Sequence, residues 1–478
     1  MSKAYEMAIG LETHVELKTK TKIFCSCPTE FGAEPNTQCC PVCAGMPGAL
    51  PVLNETAVEY AIRAGLATNC GIARFSKLDR KNYFYPDLPK AYQISQYDLP
   101  LCANGHVDIS TEAGEKRVRV MRIHIEEDAG KLVHDGARGT MVDLNRCGVP
   151  LIEIVSEPDM RSAGEAVAYL KKLRSIVIYA GISDARMNEG SLRCDVNVSV
   201  REKGAESLGT RAEVKNLNSF AFVAKAIEYE FRRQVEALEA GEKIVQETRR
   251  FDPASGKTFP MRSKENADDY RYFPDPDLMP VVIDEAKLLR IAASIPPLPD
   301  ARKRVYMEEY GLSACHSEQL VLEKAVSDFF DEAAKRTEHR RALASLTLSE
   351  VARLMNEAGI ERVALSPAQL AAVADMLGAC RLNAGGAKKL VAALWATGGN
   401  PEELLRRLDL EQISDRAILG EIARRALAEN PDMARDYQRG RQAALKALMG
   451  AAMAAAKGRA NPEVLQEMIV GQLQLTID

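Results

Sequence analysis

The chain has 478 residues, of which 46% are hydrophobic and 27% charged, and its formal net charge is -4. This length predicts two to four domains, and at this net charge any nucleic-acid binding needs a local basic patch. No apolar stretch is long enough to span a membrane. The first residues alternate in polarity and lack the pattern of a signal peptide, which predicts a cytoplasmic protein. The 11 cysteines, an odd number, argue against a disulfide framework.

The first predicted element is a strand in the segment IGLETHVELK. Its apolar positions 9, 11, 15 and 17 alternate with polar positions that include Glu12 and His14. Successive side chains of a strand point to opposite faces, so Glu12 and His14 are predicted to share the polar face.

A cysteine cluster at 25–43 follows this strand. Cys25 and Cys27 form one close pair, and Cys40 and Cys43 form a second pair after twelve intervening residues. Four thiolates in two close pairs predict a closed tetrahedral zinc site. Cys39 leaves the register of the second pair open, and a set of reduced, metal-free thiols is the alternative interpretation.

The segment YFYPDLPKAYQISQYD comes next and is rich in tyrosine. Tyr83, Tyr85 and Tyr92 either stack on a base, line a channel or pack as ordinary amphipathic side chains. The later stretch 270–274, YRYFP, has the same alternatives.

Four further segments repeat the strand alternation: RVRVMRIHIEE, LIEIVSE, RCDVNVSVR and RAEVK. Alternation alone does not choose between Glu126 and Glu127, because neighbouring residues of a strand face opposite ways. The charged residues of interest on the other three are Glu153, Arg193, Asp195, Glu213 and Lys215.

The ordinary interpretation of such strands is a half-exposed antiparallel sheet with a solvated face. Five polar faces that favour carboxylate, histidine and arginine instead indicate a concave sheet that holds hard divalent cations. Mg²⁺ prefers oxygen ligands and bridges to substrate phosphates, and cationic side chains on the same face suit developing phosphoryl charge.

Several common phosphate and hydrolase motifs are missing from the sequence. It contains no G-x-x-x-x-G-K-[ST] loop, no G-x-G-x-x-G fingerprint and no G-x-S-x-G elbow. ATP, if used, is therefore predicted to be held by metal ions and carboxylates on a sheet. No nucleophile for releasing ammonia from glutamine is evident.

The pattern becomes helical near residue 290. We predict an N-terminal domain at 1–290, a linker at 284–303, a helical domain at 291–407 and a small tail domain at 408–478. Ser366-Pro367, Asn400-Pro401, Asn430-Pro431 and Asn461-Pro462 predict helix starts.

A local excess of basic residues marks the tail. Between residues 432 and 460 only Asp432 and Asp436 oppose six cations, namely Arg435, Arg439, Arg441, Lys446, Lys457 and Arg459. A solvated helix face is the ordinary interpretation of such a pattern, and a phosphate-binding surface is the functional one.

Eight motifs occur in order between residues 10 and 278: GLETHVEL, DRKNYFYPDLPKAYQISQYD, HIEEDAGK, DLNRCGVPLIEIVSEPD, EGSLRCDVNVSVR, EVKNLNSF, ETRRFD and MRSKENADDYRYFPDPDL. Together with KGRANPEVLQEMI near the end, they closely resemble the B subunits of the aspartyl/glutamyl-tRNA(Asn/Gln) amidotransferases. The resemblance implies an α+β fold, in which a glutamine synthetase-like cradle with an antiparallel sheet and helices precedes an all-α domain and a small helical tail.

The resemblance also implies an activity. Members of this family use ATP and Mg²⁺ to phosphorylate the side-chain carboxylate of Glu-tRNA(Gln) or Asp-tRNA(Asn), and ammonia then converts it to the amide. They work in a heterotrimer, in which an amidase supplies the ammonia from glutamine and a small third protein ties the amidase to the family member. The tail domain is implied to bind the tRNA elbow.

The matching motifs assign roles to individual residues. His14, Glu127 and Glu153 correspond to the ligands of one Mg²⁺, so the resemblance favours Glu127 over Glu126. Positions around the second metal and ATP correspond to Glu12, Asp195 and Glu213. Contacts to phosphate or to the substrate carboxylate are implied for Arg146, Arg193 and Lys215. The zinc knuckle corresponds to Cys25, Cys27, Cys40 and Cys43.

Two other functions compete with this one. A free-standing ligase for a small amino acid, resembling glutamine synthetase, would leave the basic tail without a role. A non-enzymatic tRNA-binding scaffold would leave the carboxylate faces merely solvated.

Overall fold

The computed structural model describes residues 4–136, 139–263 and 267–475. The chain forms two compact units that divide between Leu298 and Pro299. No helix in the described part of the chain is long and apolar enough to cross a membrane.

The first unit contains all the described strands and four α-helices. The strands are β1 Tyr5–Glu16, β2 Gly71–Ile72, β3 Phe75–Ser76, β4 Asp79–Asn82, β5 Tyr92–Ser95, β6 Cys102–Thr111, β7 Gly114–Glu127, β8 Lys131–Asp135, β9 Gly139–Asp143, β10 Pro150–Ser156, β11 Leu192–Glu202, β12 Ala212–Lys215, β13 Glu247–Asp252, β14 Lys257–Ser263, β15 Phe273–Pro274 and β16 Val281–Val282. The helices are α1 Glu55–Ala67, α2 Ala163–Tyr179, α3 Phe220–Glu239 and α4 Glu285–Ala293, with a 3₁₀ turn at Ala267–Tyr270.

Nine strands form one sheet in the order β14-β13-β12-β11-β1-β10-β7-β6-β2. Neighbours are antiparallel except β12 and β13, which are parallel and are connected through α3. A three-stranded sheet, β15-β4-β5, packs against β7. The α+β prediction for this part of the chain is therefore confirmed.

One face of the large sheet is the hydrophobic core. Ile9, Leu11 and Val15 of β1 are fully buried there, as their alternation with polar residues requires. Helix α1 packs against β7, α2 against β6 and α3 against β11. The three helices cover the apolar face and leave the opposite, polar face of the central strands for other contacts.

The second unit is helical. Its helices are α5 Pro299–Glu308, α6 Ala314–Leu320, α7 Lys324–Ala334, α8 Arg340–Leu346, α9 Ala352–Ala358, α10 Pro367–Gly378, α11 Ala384–Thr397, α12 Pro401–Arg407, α13 Arg416–Glu429, α14 Pro431–Gln438, α15 Gln442–Ala455 and α16 Pro462–Leu475, with a π-helical turn at Thr347–Val351. Two hydrophobic clusters fill it, one between Tyr306 and Leu405 and one between Leu419 and Leu473. The domain boundaries at 290 and 407 stay predictions.

The predicted helix starts are confirmed. Ser366 caps α10 in a capping box with Pro367 at the first helical position, and Asn400 caps α12. The predicted linker at 284–303, in contrast, is largely helical. Asp284 caps α4, whose Ile291 is buried in the core of the first unit.

Candidate functional site

The polar face of the large sheet carries a row of four side chains across four strands. His14 of β1 opposes Glu153 on β10 and Arg193 on β11, and Glu153 opposes His124 on β7. Directly opposed residues of antiparallel strands place their side chains on one face, about 4.5–5.5 Å apart. Backbone register thus brings together residues that are far apart in sequence.

His14, Glu126 and Glu153 form the first cluster of potential metal ligands, with ligand atoms within 4.8 Å of one another. His14 Nε2 lies 3.4 Å from Glu126 Oε1 and 3.8 Å from Glu153 Oε2. His124 Nε2 adjoins both carboxyl groups, 3.1 Å from Glu153 Oε2 and 3.7 Å from Glu126 Oε2. This buried histidine was not among the predicted ligands, although it lies two residues before Glu126 on the same face of β7.

The expectation that Glu127 joins His14 and Glu153 is corrected by the structure. Glu127 points to the opposite face of β7 from Glu126, as strand alternation requires, and is only 2% exposed. Its Oε1 accepts a hydrogen bond from the Ile94 backbone N–H at 2.8 Å and another from Lys90. It lines a separate cavity of about 110 Å³ beside the cysteine cluster.

Glu12, Asp195 and Glu213 form the second cluster, again with oxygen atoms within 4.8 Å. Glu12 opposes Asp195 across β1 and β11, and Glu213 on β12 opposes Asn197, two residues further along β11. Asn197 Nδ2 donates to Glu12 Oε1 at 2.9 Å. Lys215 pairs with Asp195 and lies 3.3 Å from Glu213. The three acidic groups are therefore held in place by neighbouring polar side chains.

Electrostatic partners keep the two carboxyl groups of the first cluster, Glu126 and Glu153, ionised. Burial opposes ionisation of Glu153, but His124, His14 and Lys81 outweigh it and hold the pKa of Glu153 well below its usual range. Burial would likewise lower the pKa of His124, but Glu153 and Glu126 raise that pKa to about 9. An anionic, oxygen-rich donor set of this kind fits a hard divalent cation such as Mg²⁺.

The two predicted arginines are both directed at Asp128. Arg193 Nη2 lies 2.6 Å from Asp128 Oδ2, and Arg146 Nε lies 3.3 Å from the same oxygen. Arg146 also donates to the carbonyl oxygens of Ala129 and Gly130 at 3.0 and 2.8 Å. Arg146 thus fixes the turn after β7, and its predicted contact with phosphate stays a prediction.

Both clusters line one open cavity of about 710 Å³, here called the main cavity, together with Arg193 and Lys215. Its facing wall comes from β4, β5 and the segment before β15, and its side chains include Lys81, Tyr83, Tyr97, Tyr270 and Tyr272. Sequence alternation gave no indication of Lys81, because β4 is short and belongs to the smaller sheet. Tyr92 lines the small cavity instead, and Tyr85 is exposed.

The sulfur atoms of Cys25, Cys27, Cys40 and Cys43 lie within 4.8 Å of one another. Cys39 Sγ instead lies 3.2 Å from the Asn36 carbonyl oxygen, so the geometry selects Cys40. Hydrogen bonding from the Cys25 thiol and the Cys40 N–H, together with the charge of Lys22, lowers the pKa of Cys43 to about 4. A thiolate at this position is ready to bind a metal ion.

The predicted cations of the tail fall into two groups. Arg435 pairs with Asp432 at 2.5 Å, Arg441 pairs with Asp436 at 3.1 Å, and Arg459 pairs with Asp409. The second group is exposed and makes no ion pair with the described residues; it comprises Arg439, Lys446 and Lys457.

Comparison with known families gives this geometry a context. A family model described as the GatB/GatE catalytic domain matches residues 7–288, and one described as the GatB domain matches residues 328–473. The chain belongs to the GatB/GatE family. The match spans both clusters and the four cysteines, and it confirms the resemblance seen in the sequence motifs.

Three similar curated relatives of this GatB/GatE family member share one name, that of the B subunit of the aspartyl/glutamyl-tRNA(Asn/Gln) amidotransferase. The protein from Caldicellulosiruptor saccharolyticus is 52% identical, and the alignment covers 98% of this chain and 99% of the relative. That from Geotalea daltonii is 50% identical over the same shares. That from Thermodesulfovibrio yellowstonii is 49% identical over 97% and 98%.

Proposed function

We propose that this chain is the component of a tRNA-dependent amidotransferase that activates the side-chain carboxylate of Glu-tRNA(Gln), Asp-tRNA(Asn) or both at the expense of ATP. Ammonia then displaces phosphate from the activated carboxyl group to give Gln-tRNA(Gln) or Asn-tRNA(Asn). Full-length similarity to the named B subunits supports the substrate class. The observation that carries the chemistry is the pair of oxygen-rich clusters on one wall of the main cavity.

Activation is required because a carboxylate is a poor electrophile for ammonia. Transfer of a phosphoryl group to it needs positioning and charge compensation far more than covalent help from the protein. We assign His14, Glu126 and Glu153 to one Mg²⁺ and Glu12, Asp195 and Glu213 to a second. Bound Mg²⁺ would supply Lewis-acid stabilisation of phosphoryl oxygens.

Cationic side chains of the chain itself complete the site. Lys215, between Asp195 and Glu213, and Arg193, beside Asp128, both line the main cavity. Each is positioned by a carboxylate and can hold phosphate or carboxylate oxygens. His124 contacts Glu126 and Glu153 and fixes their orientation, as a positioning residue does.

We also propose a structural metal ion, two partner proteins and a cytoplasmic location for this chain. Zn²⁺ at the four cysteines would tie the loop at 25–43 into a closed tetrahedral site. The ammonia source is the amidase of the heterotrimer, which the small third protein ties to this chain, since this sequence offers no evident nucleophile for glutamine hydrolysis. The basic tail contacts tRNA, and the enzyme works in the cytoplasm.

The decisive experiment is reconstitution with the amidase and the small third protein, followed by assays on both mischarged tRNAs. We expect ATP hydrolysis that depends on the aminoacyl-tRNA and amide formation that depends on glutamine. Glu153→Gln should abolish both and leave tRNA binding intact. Amidation at the wild-type rate in that variant would contradict the assigned site.

The same assay separates the competing functions. A scaffold would show no hydrolysis of ATP stimulated by mischarged tRNA. A ligase for a free amino acid would keep its kinetics after deletion of residues 408–478, whereas the proposed enzyme should lose efficiency with aminoacyl-tRNA.

A further inference from the structure

A second cavity of about 560 Å³, here called the aromatic groove, adjoins the main cavity. Tyr97 and Tyr272 line both of them. Their rings are stacked, with centroids 4.4 Å apart and planes inclined by 6°. The stacked pair is therefore a shared wall between the two spaces.

The aromatic groove presents ring surface to solvent. Tyr97 is 44% exposed and Phe273, further along the groove, is 43% exposed. Proteins that bind single-stranded nucleic acids stack successive bases on aromatic side chains of this kind. Tyr97 is fixed from the backbone side, because its N–H donates to Asp79 Oδ2 at 3.0 Å.

A cation at the rim suits a phosphate. Arg271 is exposed, lines the aromatic groove and makes no ion pair with any side chain that the structure describes. Asn82 Nδ2 donates to the Arg271 carbonyl oxygen at 2.8 Å and holds that backbone in place. Lys77, in contrast, is already paired with Asp79 and Asp98.

Two further tyrosines, Tyr270 and Tyr83, line the main cavity with the stacked pair and contact Lys81. Lys81 Nζ lies 4.7 Å from the ring centroid of Tyr270 and 5.7 Å from that of Tyr83. Burial would lower the pKa of Lys81, but Tyr272 and the carboxylates of Glu126 and Glu153 raise it. The ammonium group thus stays charged between the aromatic wall and the carboxylates, where it can contact the anionic substrate.

Covalent geometry restricts where the end of the tRNA can lie. Five bonds separate the ribose oxygen of a glutamyl ester from its side-chain carboxyl carbon, a reach of about 6 Å when extended. The terminal ribose must therefore lie just outside the place where the carboxylate is phosphorylated. The aromatic groove adjoins the main cavity at the Tyr97–Tyr272 pair, so a nucleoside bound there lies next to the cavity that both clusters line.

From these observations we infer that the aromatic groove binds the 3′-terminal nucleoside of the aminoacyl-tRNA, with its base on Tyr97 and its phosphate near Arg271. This inference rests on the proposed function and names the acceptor-end subsite within it. ATP carries the same purine nucleoside, but a different cavity of about 370 Å³ adjoins the second cluster and shares Glu12, Arg211 and Gln246 with the main cavity. The nucleoside of ATP can therefore bind in that cavity beside the second cluster, away from the aromatic groove.

The test uses the full heterotrimeric complex with three variants of this chain. Tyr97→Ala removes the stacking ring, Tyr97→Phe keeps it, and Phe75→Ala alters a ring that is 54% exposed and lines neither cavity. The readouts are kcat/KM for Glu-tRNA, KM for ATP, glutaminase activity, and the fluorescence of tRNA with 2-aminopurine in place of its terminal adenine.

We expect Tyr97→Ala to lower kcat/KM for Glu-tRNA about tenfold, in line with the loss of one base–aromatic stack. Its KM for ATP and glutaminase activity should stay within about twofold of wild type, because a single stack contributes to base binding alone. The 2-aminopurine fluorescence should be quenched by wild type, Tyr97→Phe and Phe75→Ala but not by Tyr97→Ala.

Three outcomes would overturn the inference: unchanged kcat/KM for Glu-tRNA in Tyr97→Ala, quenching that survives in this variant, or a rise in KM for ATP. The last would assign the aromatic groove to ATP. Failure of the wild-type complex to amidate either tRNA would instead overturn the proposed function itself, so the two failures are distinguishable.

Discussion

The polar face of the large sheet and the basic surface of the tail hold their charges in different ways. On the sheet, Glu12, Glu153 and Asp195 come from three strands, and backbone register together with neighbouring polar side chains fixes their positions. In the tail, Lys446 on α15 and Arg439 in the turn after α14 are exposed and have no ion-pair partners among the described residues. The sheet holds its acidic side chains in fixed relative positions, whereas the tail offers separate basic side chains that suit contacts with a phosphate backbone.

The largest effect should come from the first cluster. We expect Glu126→Gln to slow ATP hydrolysis stimulated by aminoacyl-tRNA at least about a hundredfold, because it removes a carboxylate from the first proposed Mg²⁺ site. The measurement is the rate as a function of Mg²⁺ concentration. Glu127→Gln is the matched control, and its Mg²⁺ dependence should resemble that of wild type. A stronger shift in Glu127→Gln than in Glu126→Gln would show that the wrong neighbour has been assigned.

The next largest effect is expected at the cysteine cluster, where four sulfur atoms also lie in fixed relative positions. Cys40→Ser should lose its bound zinc, because a closed site needs all four thiolates, whereas Cys39→Ser should keep about one equivalent. Elemental analysis of the purified proteins measures this directly. Equal zinc content in the two variants would refute the predicted site.

A buried ionic network in the same unit should contribute to the stability of the fold. Glu230 of α3 is fully buried and binds Arg233 Nη2 at 2.5 Å and Thr258 Oγ1 at 3.0 Å, with Arg249 Nε at 3.4 Å. Glu230→Ala leaves buried positive charge without its partner and should lower the free energy of unfolding by about 3–5 kcal/mol. Urea denaturation measures the change. The control Glu357→Ala, on the exposed surface of α9, should have little effect, and a similar loss in both would contradict this expectation.

The smallest effects are expected in the tail. Lys446→Ala should weaken tRNA binding a few-fold and reduce the slope of log affinity against log salt by about 0.7–0.9, the value for one phosphate contact. Binding titrations at several salt concentrations provide the measurement. Arg441→Ala should change less, because Asp436 already neutralises this arginine. A larger effect in Arg441→Ala would mean that the ion pair opens on binding.

Strand alternation predicts much of this site from sequence, because side-chain direction depends only on parity along a strand. It puts Glu12 and His14 on one face, and the structure places Glu153 opposite His14. Alternation cannot choose between Glu126 and Glu127, because the side chain of Glu127 is held by the Ile94 N–H of β5 and by Lys90 before β5. Long-range partners of this kind leave no local signal in a sequence.

Other features were missed for similar reasons. Lys81 belongs to a short strand of the smaller sheet and reaches the main cavity only through tertiary packing. The boundary between the two units lies inside the segment predicted as a linker, but part of that segment is the helix α4, which buries Ile291 and pairs Lys287 with Glu55. Helix starts were predicted well, since capping by Ser366 or Asn400 is a local interaction.

Both clusters draw on the same strand, and this has a consequence for how the enzyme can change. Glu12 and His14 are two residues apart on β1, so their Cα atoms are separated along the strand by twice the rise per residue, about 6.6–6.8 Å. Covalent geometry fixes this distance between Glu12 and His14 along β1. Substitutions elsewhere in the core cannot lengthen it. Insertion or deletion of a single residue in β1 ahead of Glu12 would turn both side chains toward the hydrophobic interior at once, so the two proposed metal sites would be lost together.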